Sequence, residues 1–261
     1  MTDDVLLERH GDVAVLRLND PKTLNAMNPE MARAISDHLG RPPSGTRAIM
    51  LAGSERAFCA GANLWSGDHF DLDAPDFDAG AWLETLFNPM MRAFKECDVP
   101  IVSAVCGAAA GVGASVALAA DLVVAGRGAY FMQAFSRVGL SPDSGVPYLL
   151  ARSVGRARAM ELLLLADKLP AQTALDWGLI TRVVDDAEVE TAALALATRL
   201  AQGPTRSLAL TRKSVWAGSE LTWEEELRLE AVRQTEAGKT QDFREGMAAF
   251  AEGRKARFTG S

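Results

Sequence analysis

The chain is predicted to fold as an α/β protein, with strand–turn–helix units over the first two thirds and helices over the last third. Three observations carry this expectation. Short apolar runs of strand character recur at Val13 to Leu18, Ala48 to Ala52, Ile101 to Val105 and Leu122 to Ala125. Small-residue glycine turns follow two of them, at Ala60-Gly61-Ala62 and Gly107 to Gly113. From Glu188 onward the sequence reads as wholly helical.

In chain order, Asp20-Pro21 ends the Val13 to Leu18 strand. Asn28 then supplies an N-cap and Pro29 a first helical residue, which predicts a helix to about Leu39. After the Ala48 to Ala52 strand, Ala57 to Leu64 reads as a small-residue turn. Trp65 to Gly80 is acidic and without periodicity, which suits a surface loop or lid. Trp82 to Cys97 is a helix that stops before Pro100. Leu122 to Ala125 and Tyr130 to Met132 are short strands, Ser141 to Gly145 a turn, and Arg156 to Leu165 a helix. Pro170 opens a short helix closed by Gly178, and Ile180 to Val184 is the last strand. Thr222 and Glu225 form a capping box for a helix ending near Gly238, and Thr240 to Glu252 is the final helix.

The run from Gly107 to Asp121 holds three glycines among alanines, with a strand leading in and a helical segment leading out. Gly111 and Gly113 permit positive φ or a close approach to a ligand. Unpaired N–H groups at the following helix start would favour a developing negative charge. Close packing of small residues is the plain alternative. A membrane span is a third reading, since Ile101 to Ala120 carries no charge, but the glycines and β-rich ends suit a soluble core better.

Composition narrows the classes. The chain has 261 residues, 48% of them hydrophobic and 23% charged, which suffices for a sizeable core. A net charge of −7 with no lysine/arginine block argues against nucleic acid as the main partner. It leaves room for a phosphate-bearing substrate, which needs only a few local cations. Cys59, Cys97 and Cys106 form no CxxC pair, and His10, His38 and His69 are widely spaced, so no metal site is expected. The acidic N-terminus does not read as a signal peptide, and a cytoplasmic location is inferred.

Two glycine turns, each after a strand, could aim two backbone N–H groups at one oxygen and stabilise charge developing on a carbonyl. At this point the sequence resembles the crotonase (enoyl-CoA hydratase/isomerase) family. The matching motifs are Leu24-Asn25-Ala26-Met27, Phe58-Cys59-Ala60-Gly61-Ala62-Asn63-Leu64, Gly107 to Asp121, and Trp177-Gly178-Leu179-Ile180, whose order and spacing match over nearly the whole chain. The resemblance implies a ClpP/crotonase-like α/β fold of repeated ββα units (residues 1–195) and a C-terminal helical trimerisation region (196–261). It implies a coenzyme A thioester as substrate, no metal or redox cofactor, and a homotrimer or a dimer of trimers.

The same resemblance places the two oxyanion donors on the N–H groups of Ala62 and Val112. Val112 stands where the family usually has glycine, which should narrow the pocket or shift the turn, and Asn63 stands for a usual aspartate. Lys22, Leu24, Ala60 and Ala62 are expected to contact the coenzyme, with Lys22 at its phosphates, and Phe258 to lie against a neighbouring subunit's coenzyme. Leu221, Trp223, Leu227 and Phe243 suit subunit packing. The plain readings are a solvated lysine and core packing for Phe258.

The family's two hydratase glutamates fall on Ser115 and Phe135, neither of which can act as a carboxylate base. Asp143, in Leu140-Ser141-Pro142-Asp143-Ser144-Gly145, is the remaining acid. This pattern is similar to the isomerase branch acting in phenylacetate breakdown, where an aspartate at this position moves the proton. An aryl-CoA dehalogenase branch uses an aspartate here as nucleophile. Without the family, Ser-Pro-Asp-Ser-Gly is turn chemistry. Asp121 reads as structural, Ser115 as a helix-packing residue, Phe135 as an apolar wall and His69 as a solvated loop residue. The expected activity is enoyl-CoA double-bond isomerisation. The alternatives are hydration, nucleophilic or hydrolytic chemistry through Asp143, and a non-catalytic acyl-CoA-binding protein.

Overall fold

The computed structural model describes residues 4–63, 74–75 and 77–261. The chain opens with β1 (Val5–His10) and β2 (Val13–Leu18), followed by α1 (Pro29–Gly40). The Asn28 side chain accepts a hydrogen bond from the Met31 N–H and Pro29 takes the first helical position, as the sequence predicts. Three successive ββα units follow. The first is β3 (Ala48–Ala52), β4 (Ala57–Cys59), and α2 (Ala79–Trp82) joined to α3 (Asn88–Glu96) by a π-helical turn over Leu83–Phe87. The second is β5 (Ile101–Val105), β6 (Ala108–Ala110) and α4 (Val112–Leu118). The third is β7 (Leu122–Gly126), β8 (Tyr130–Met132), α5 (Val146–Ser153) and α6 (Gly155–Leu165). Then come β9 (Leu169–Pro170), α7 (Ala171–Asp176), β10 (Arg182–Val184), α8 (Val189–Ala201), α9 (Thr205–Gly218), α10 (Trp223–Ala237) and α11 (Gln241–Glu252).

Among the described residues the first strand of each unit joins a six-stranded sheet, ordered β1-β2-β3-β5-β7-β10. The second strand of each unit joins a four-stranded sheet, ordered β4-β6-β8-β9. Pairing is parallel except at β1–β2 and β8–β9. The large sheet is buried on both faces, so its strands read as nearly continuous apolar runs. Alternate residues divide between two cores. Leu16, Ile49, Leu51, Ile101 and Val105 face the helices and the small sheet, while Val15, Met50, Val102 and Val124 face α8 through Val189, Ala193 and Ala197.

Two readings are corrected, a disfavoured one is set aside, and a fourth lies mostly outside the described residues. The segment from Ala57 is not all turn, because Ala57–Cys59 forms β4. The glycine run is not a single turn, because Ala108–Ala110 forms β6 inside it. In both cases a strand of three residues is too short to show a period of two. The uncharged run from Ile101 is two strands and a short helix rather than a span, and no helix among the described residues is long and apolar enough to cross a membrane. The acidic stretch from Trp65, with His69, lies largely outside the described residues, as does Leu64. Its end is helical, since Asp78 accepts a hydrogen bond from the Gly80 N–H and caps α2.

A buried cation ties α9 to the core. Arg212 on α9 is 6% exposed. Its Nε donates to Asp121 Oδ2 at 2.9 Å, and its terminal nitrogens donate to the carbonyls of Cys97 at 2.5 Å and Phe94 at 2.7 Å. Asp121 Oδ2 also accepts from the Ile101 N–H at 2.7 Å. Asp121 is therefore structural, as expected, and Arg212 is the partner that the sequence did not reveal. Breaking a buried ion pair costs more than the pair contributes, because a charge and carbonyls are left without partners. Arg212→Ala is expected to lower unfolding free energy by about 3 kcal/mol in urea titrations. A loss below about 1 kcal/mol would mean the clamp contributes little.

Candidate active site

The site begins at two backbone turns held by their neighbours. After β4, the Ala60 N–H donates to the Leu24 carbonyl at 3.1 Å. The Gly61 carbonyl accepts from the Met27 N–H at 2.7 Å, and the Asn63 N–H donates to the Met27 carbonyl at 2.9 Å. These bonds flank Ala62 and turn its own N–H to the opposite side, as alternation along an extended segment requires. After β6, Gly111 takes φ +50° and donates its N–H to the Met132 carbonyl at 2.8 Å. Val112 then occupies the first helical position, where an N–H has no acceptor within the helix. Among the described residues neither the Ala62 nor the Val112 N–H finds a backbone acceptor.

The turns touch. A Cβ added to Gly111 would lie 3.7 Å from the Gly61 Cα. Gly113 has a different use from the one anticipated. It lies inside α4, and a Cβ there would stand 2.4 Å from the Cys59 carbonyl oxygen, so its hydrogen lets the helix meet β4 rather than a ligand. Asn25 fixes the approach from below. It is fully buried, accepts from the Asp20 N–H at 2.9 Å, and donates to the carbonyls of Ala57 and Phe58 at 3.1 and 3.3 Å.

A cavity of about 360 Å³ opens over these turns. Ala60, Gly61, Ala62, Gly111 and Val112 line one part of it. Trp82 at the end of α2, with Leu83 and Phe87 from the π-helical turn, contributes an apolar wall, and Phe135, Val138 and Leu140 another. Asp143 is the one ionisable side chain among the described lining residues, and Ser141 lies beside it. Burial pushes the Asp143 carboxyl up, and the hydrogen bond donated by the Ser144 hydroxyl to Oδ1 at 2.8 Å pulls it partly back.

The structure thus brings Ala60, Ala62, Val112, Phe135 and Asp143 to one cavity. Leu24 is adjacent through its carbonyl but is not a lining residue, and exposed Lys22 sits on the neighbouring 3-10 turn. Phe258 is elsewhere in the chain, half-buried beside Arg47, Glu245 and Arg254. Val112 is 2% exposed, so its branched side chain packs mainly into the core. Ser115 is fully buried, and its hydroxyl donates to the Gly111 carbonyl at 3.3 Å, a packing role within α4. Sequence reasoning missed the roles of Asn25, Ser144 and the wall from Trp82 to Phe87. The only available signal was their nearness to quoted motifs.

Two outcomes follow from this geometry. Gly113→Ala forces a Cβ into backbone, and overpacking of this kind costs about 1–3 kcal/mol, measurable by urea unfolding. A variant as stable as the parent would show that α4 can lift from β4 freely. For Asp143, the carboxyl is raised in the folded chain above its ordinary 3.8. Between the unfolded and folded values the folded chain holds the extra proton, so stability falls as pH rises through that window. Asp143→Asn is therefore expected to unfold at higher urea than wild type at neutral pH, with the gap closing toward about pH 3. A destabilised variant at neutral pH would contradict the raised carboxyl.

The comparisons agree with this architecture. Residues 8–261 match the model of the family described as enoyl-CoA hydratase/isomerase. The chain is 42% identical to a protein of Rhodobacter capsulatus named "Probable enoyl-CoA hydratase", over 95% of each chain. It is 39% identical to the 1,2-epoxyphenylacetyl-CoA isomerase of Escherichia coli, over 100% of each. The crystal structure of an enoyl-CoA hydratase from Polaromonas sp. JS666 superposes with a TM-score of 0.89 at 30% identity, covering 97% of this chain and 99% of that one. The chain belongs to the enoyl-CoA hydratase/isomerase family and has the crotonase fold.

Proposed function

We propose that the protein shifts a double bond in an enoyl-CoA thioester. The observation that carries this reading is an apolar cavity in which, among the described residues, Asp143 is the one ionisable lining residue and two N–H groups are free of backbone acceptors. Asp143 removes a proton from the carbon next to the thioester. The electron pair moves onto the thioester oxygen, which rests on the N–H groups of Ala62 and Val112, and Asp143 returns the proton to the γ-carbon. The chemistry needs no metal or redox cofactor. Each donor of such a pair contributes roughly 2.7–4 kcal/mol to the transition state. The apolar wall suits a base that must also give its proton back, because desolvation brings its acidity nearer to the working pH.

Hydration is the second reading, favoured by the names of the Rhodobacter and Polaromonas relatives. It needs a water held and deprotonated at the β-carbon. Ser115 is buried under the Gly111 carbonyl, and Phe135 presents a ring where a carboxylate would be required. An enolate without a placed water is reprotonated instead. Asp143→Asn is expected to slow isomerisation by about 10²–10⁴-fold with little change in thioester binding. Wild-type turnover by this variant would remove Asp143 from the mechanism. Crotonyl-CoA should yield little 3-hydroxybutyryl-CoA, whereas turnover near ~10 s⁻¹, a typical enzyme rate, would favour the hydratase.

The assembly belongs to the same proposal: a trimer or a pair of trimers, in which Phe258 lies against a neighbour's coenzyme and Lys22 holds phosphates. The support is that α10 runs 15 residues with no buried side chain, while Trp223 is 74% and Phe243 50% exposed. α10 packs against α9 and leaves Trp223 and Val232 exposed, so a covering surface is expected. Light scattering at micromolar concentration should report a trimer or hexamer, and a monomer would overturn this part.

A further inference from the structure

The turn carrying Asp143 holds a residue in a conformation that its side chain does not favour. The Val146 N–H donates to the Asp143 carbonyl at 3.1 Å, closing a four-residue turn. Both central residues have positive φ, Ser144 at +52° and Gly145 at +69°. Such turns select glycine, asparagine or aspartate at the first central position, and serine there is strained by about 1 kcal/mol or more. Ser144 is nevertheless 2% exposed and hence enclosed. Its hydroxyl donates to Asp143 Oδ1 at 2.8 Å, while Oδ2 has no hydrogen-bond partner among the described residues.

We propose that Ser144 is a positioning residue for the proton transfer: its hydroxyl fixes Oδ1 of Asp143 and thereby commits Oδ2 to receive and return the proton. This rests on the reading of Asp143 as the base. A carboxylate that carries one proton between two carbons must present the same oxygen to both. A carboxyl free to rotate about its Cβ–Cγ bond would offer either oxygen, and once protonated could turn the O–H away from the second carbon. With Oδ1 held, the α C–H bond breaks, its proton passes to Oδ2, and the electron pair delocalises into the dienolate. The Oδ2–H bond then breaks toward the γ-carbon, and the carboxylate is restored. The bond has a second effect. Donation by a hydroxyl favours the ionised form, so it works against the desolvation that raises the Asp143 carboxyl. Among the described residues no other ionisable side chain lines the cavity and no neighbouring charge contributes to the Asp143 shift, so among them Ser144 is the local counterweight.

The positive φ at position 144 supplies a clean test. Ser144→Gly removes the hydroxyl and relieves the backbone, so the variant is expected to fold at least as stably as wild type. Two readouts separate positioning from structure. The first is titration of Asp143 in the free protein, followed by the infrared C=O band of its protonated carboxyl, identified by its absence in Asp143→Asn. In Ser144→Gly this titration should move to higher pH. The second is isomerisation of a β,γ-enoyl-CoA, where kcat should fall about ten- to a hundredfold with KM nearly constant, in line with loss of a hydrogen bond to a charged group. Ser144→Ala should show the same titration shift with added loss of stability. If the Asp143 titration and kcat are both unchanged in a folded Ser144→Gly while Asp143→Asn is inactive, Ser144 is a turn residue only and the base assignment stands. If Asp143→Asn remains active, the base assignment and the role of Ser144 both fall.

Discussion

The site depends on the approach of α4 to β4 at Gly113, where only a hydrogen fits against the Cys59 carbonyl. That contact sets the depth of the second ββα unit against the first. The small sheet then does the rest by regular repetition. Its parallel strands β4, β6 and β8 lie side by side, one from each unit. Ala62 comes three residues after the end of β4, Val112 two after β6, and Phe135 three after β8. Residues just past the carboxyl ends of neighbouring parallel strands must cluster, which is the general position of ligand crevices in α/β proteins. Positions far apart in sequence therefore meet in one cavity without any long loop having to find its place.

The legible part of the fold was what local rules determine. Asn28-Pro29, the Thr222–Glu225 capping box and the Thr240 cap announce their helices because the cap residue itself makes the bond. Strands of five or six residues on the large sheet are visible as apolar runs, although β1 passed unread because its outer residues are partly exposed and charged. The small strands were not legible, since three residues carry no period and Ala108–Ala110 has no β-branched side chain. Within the site, Gly61, Gly111 and Asp143 stood out by residue type. Asn25 and Arg212 did not, because the partners that bury them, the Ala57 carbonyl and Asp121, lie 32 and 91 positions away. The meaning of Gly113 was misplaced for the same reason: the atom it avoids belongs to another unit.

The electrostatics of the cavity are simple because its walls are apolar. Leu83 and Phe87 face it from one π-helical turn, an irregularity that widens the helix locally and is frequent near functional sites. Phe135 adds a ring and no charge, and among the described residues charge on Asp143 is neither repelled by a like neighbour nor neutralised by a cation. Its acidity is set by two opposing local effects, desolvation and one hydroxyl. On the proposed mechanism, the backbone donors at Ala62 and Val112 stabilise the oxyanion without adding an ionisable group beside the base.

Both features that would suit Asp143 to the proposed proton transfer destabilise the fold locally: a desolvated carboxylate and a serine at positive φ. They persist because the flanking chain is over-determined. Upstream, Phe135 is 7% exposed in the main core, and its carbonyl accepts from the Leu140 N–H at 3.0 Å. Downstream, α5 begins at once with Val146, and Val146 and Leu150 are fully buried in the same core. Two fully buried aliphatic side chains contribute about 3–6 kcal/mol, against about 1–3 kcal/mol for one strained residue. The margin lies with the anchors. The turn cannot relax by swinging outward, because moving Ser144 would drag Val146 from the core. The strain is thereby held where the carboxylate must point, and the rigidity comes from packing on either side rather than from the turn itself.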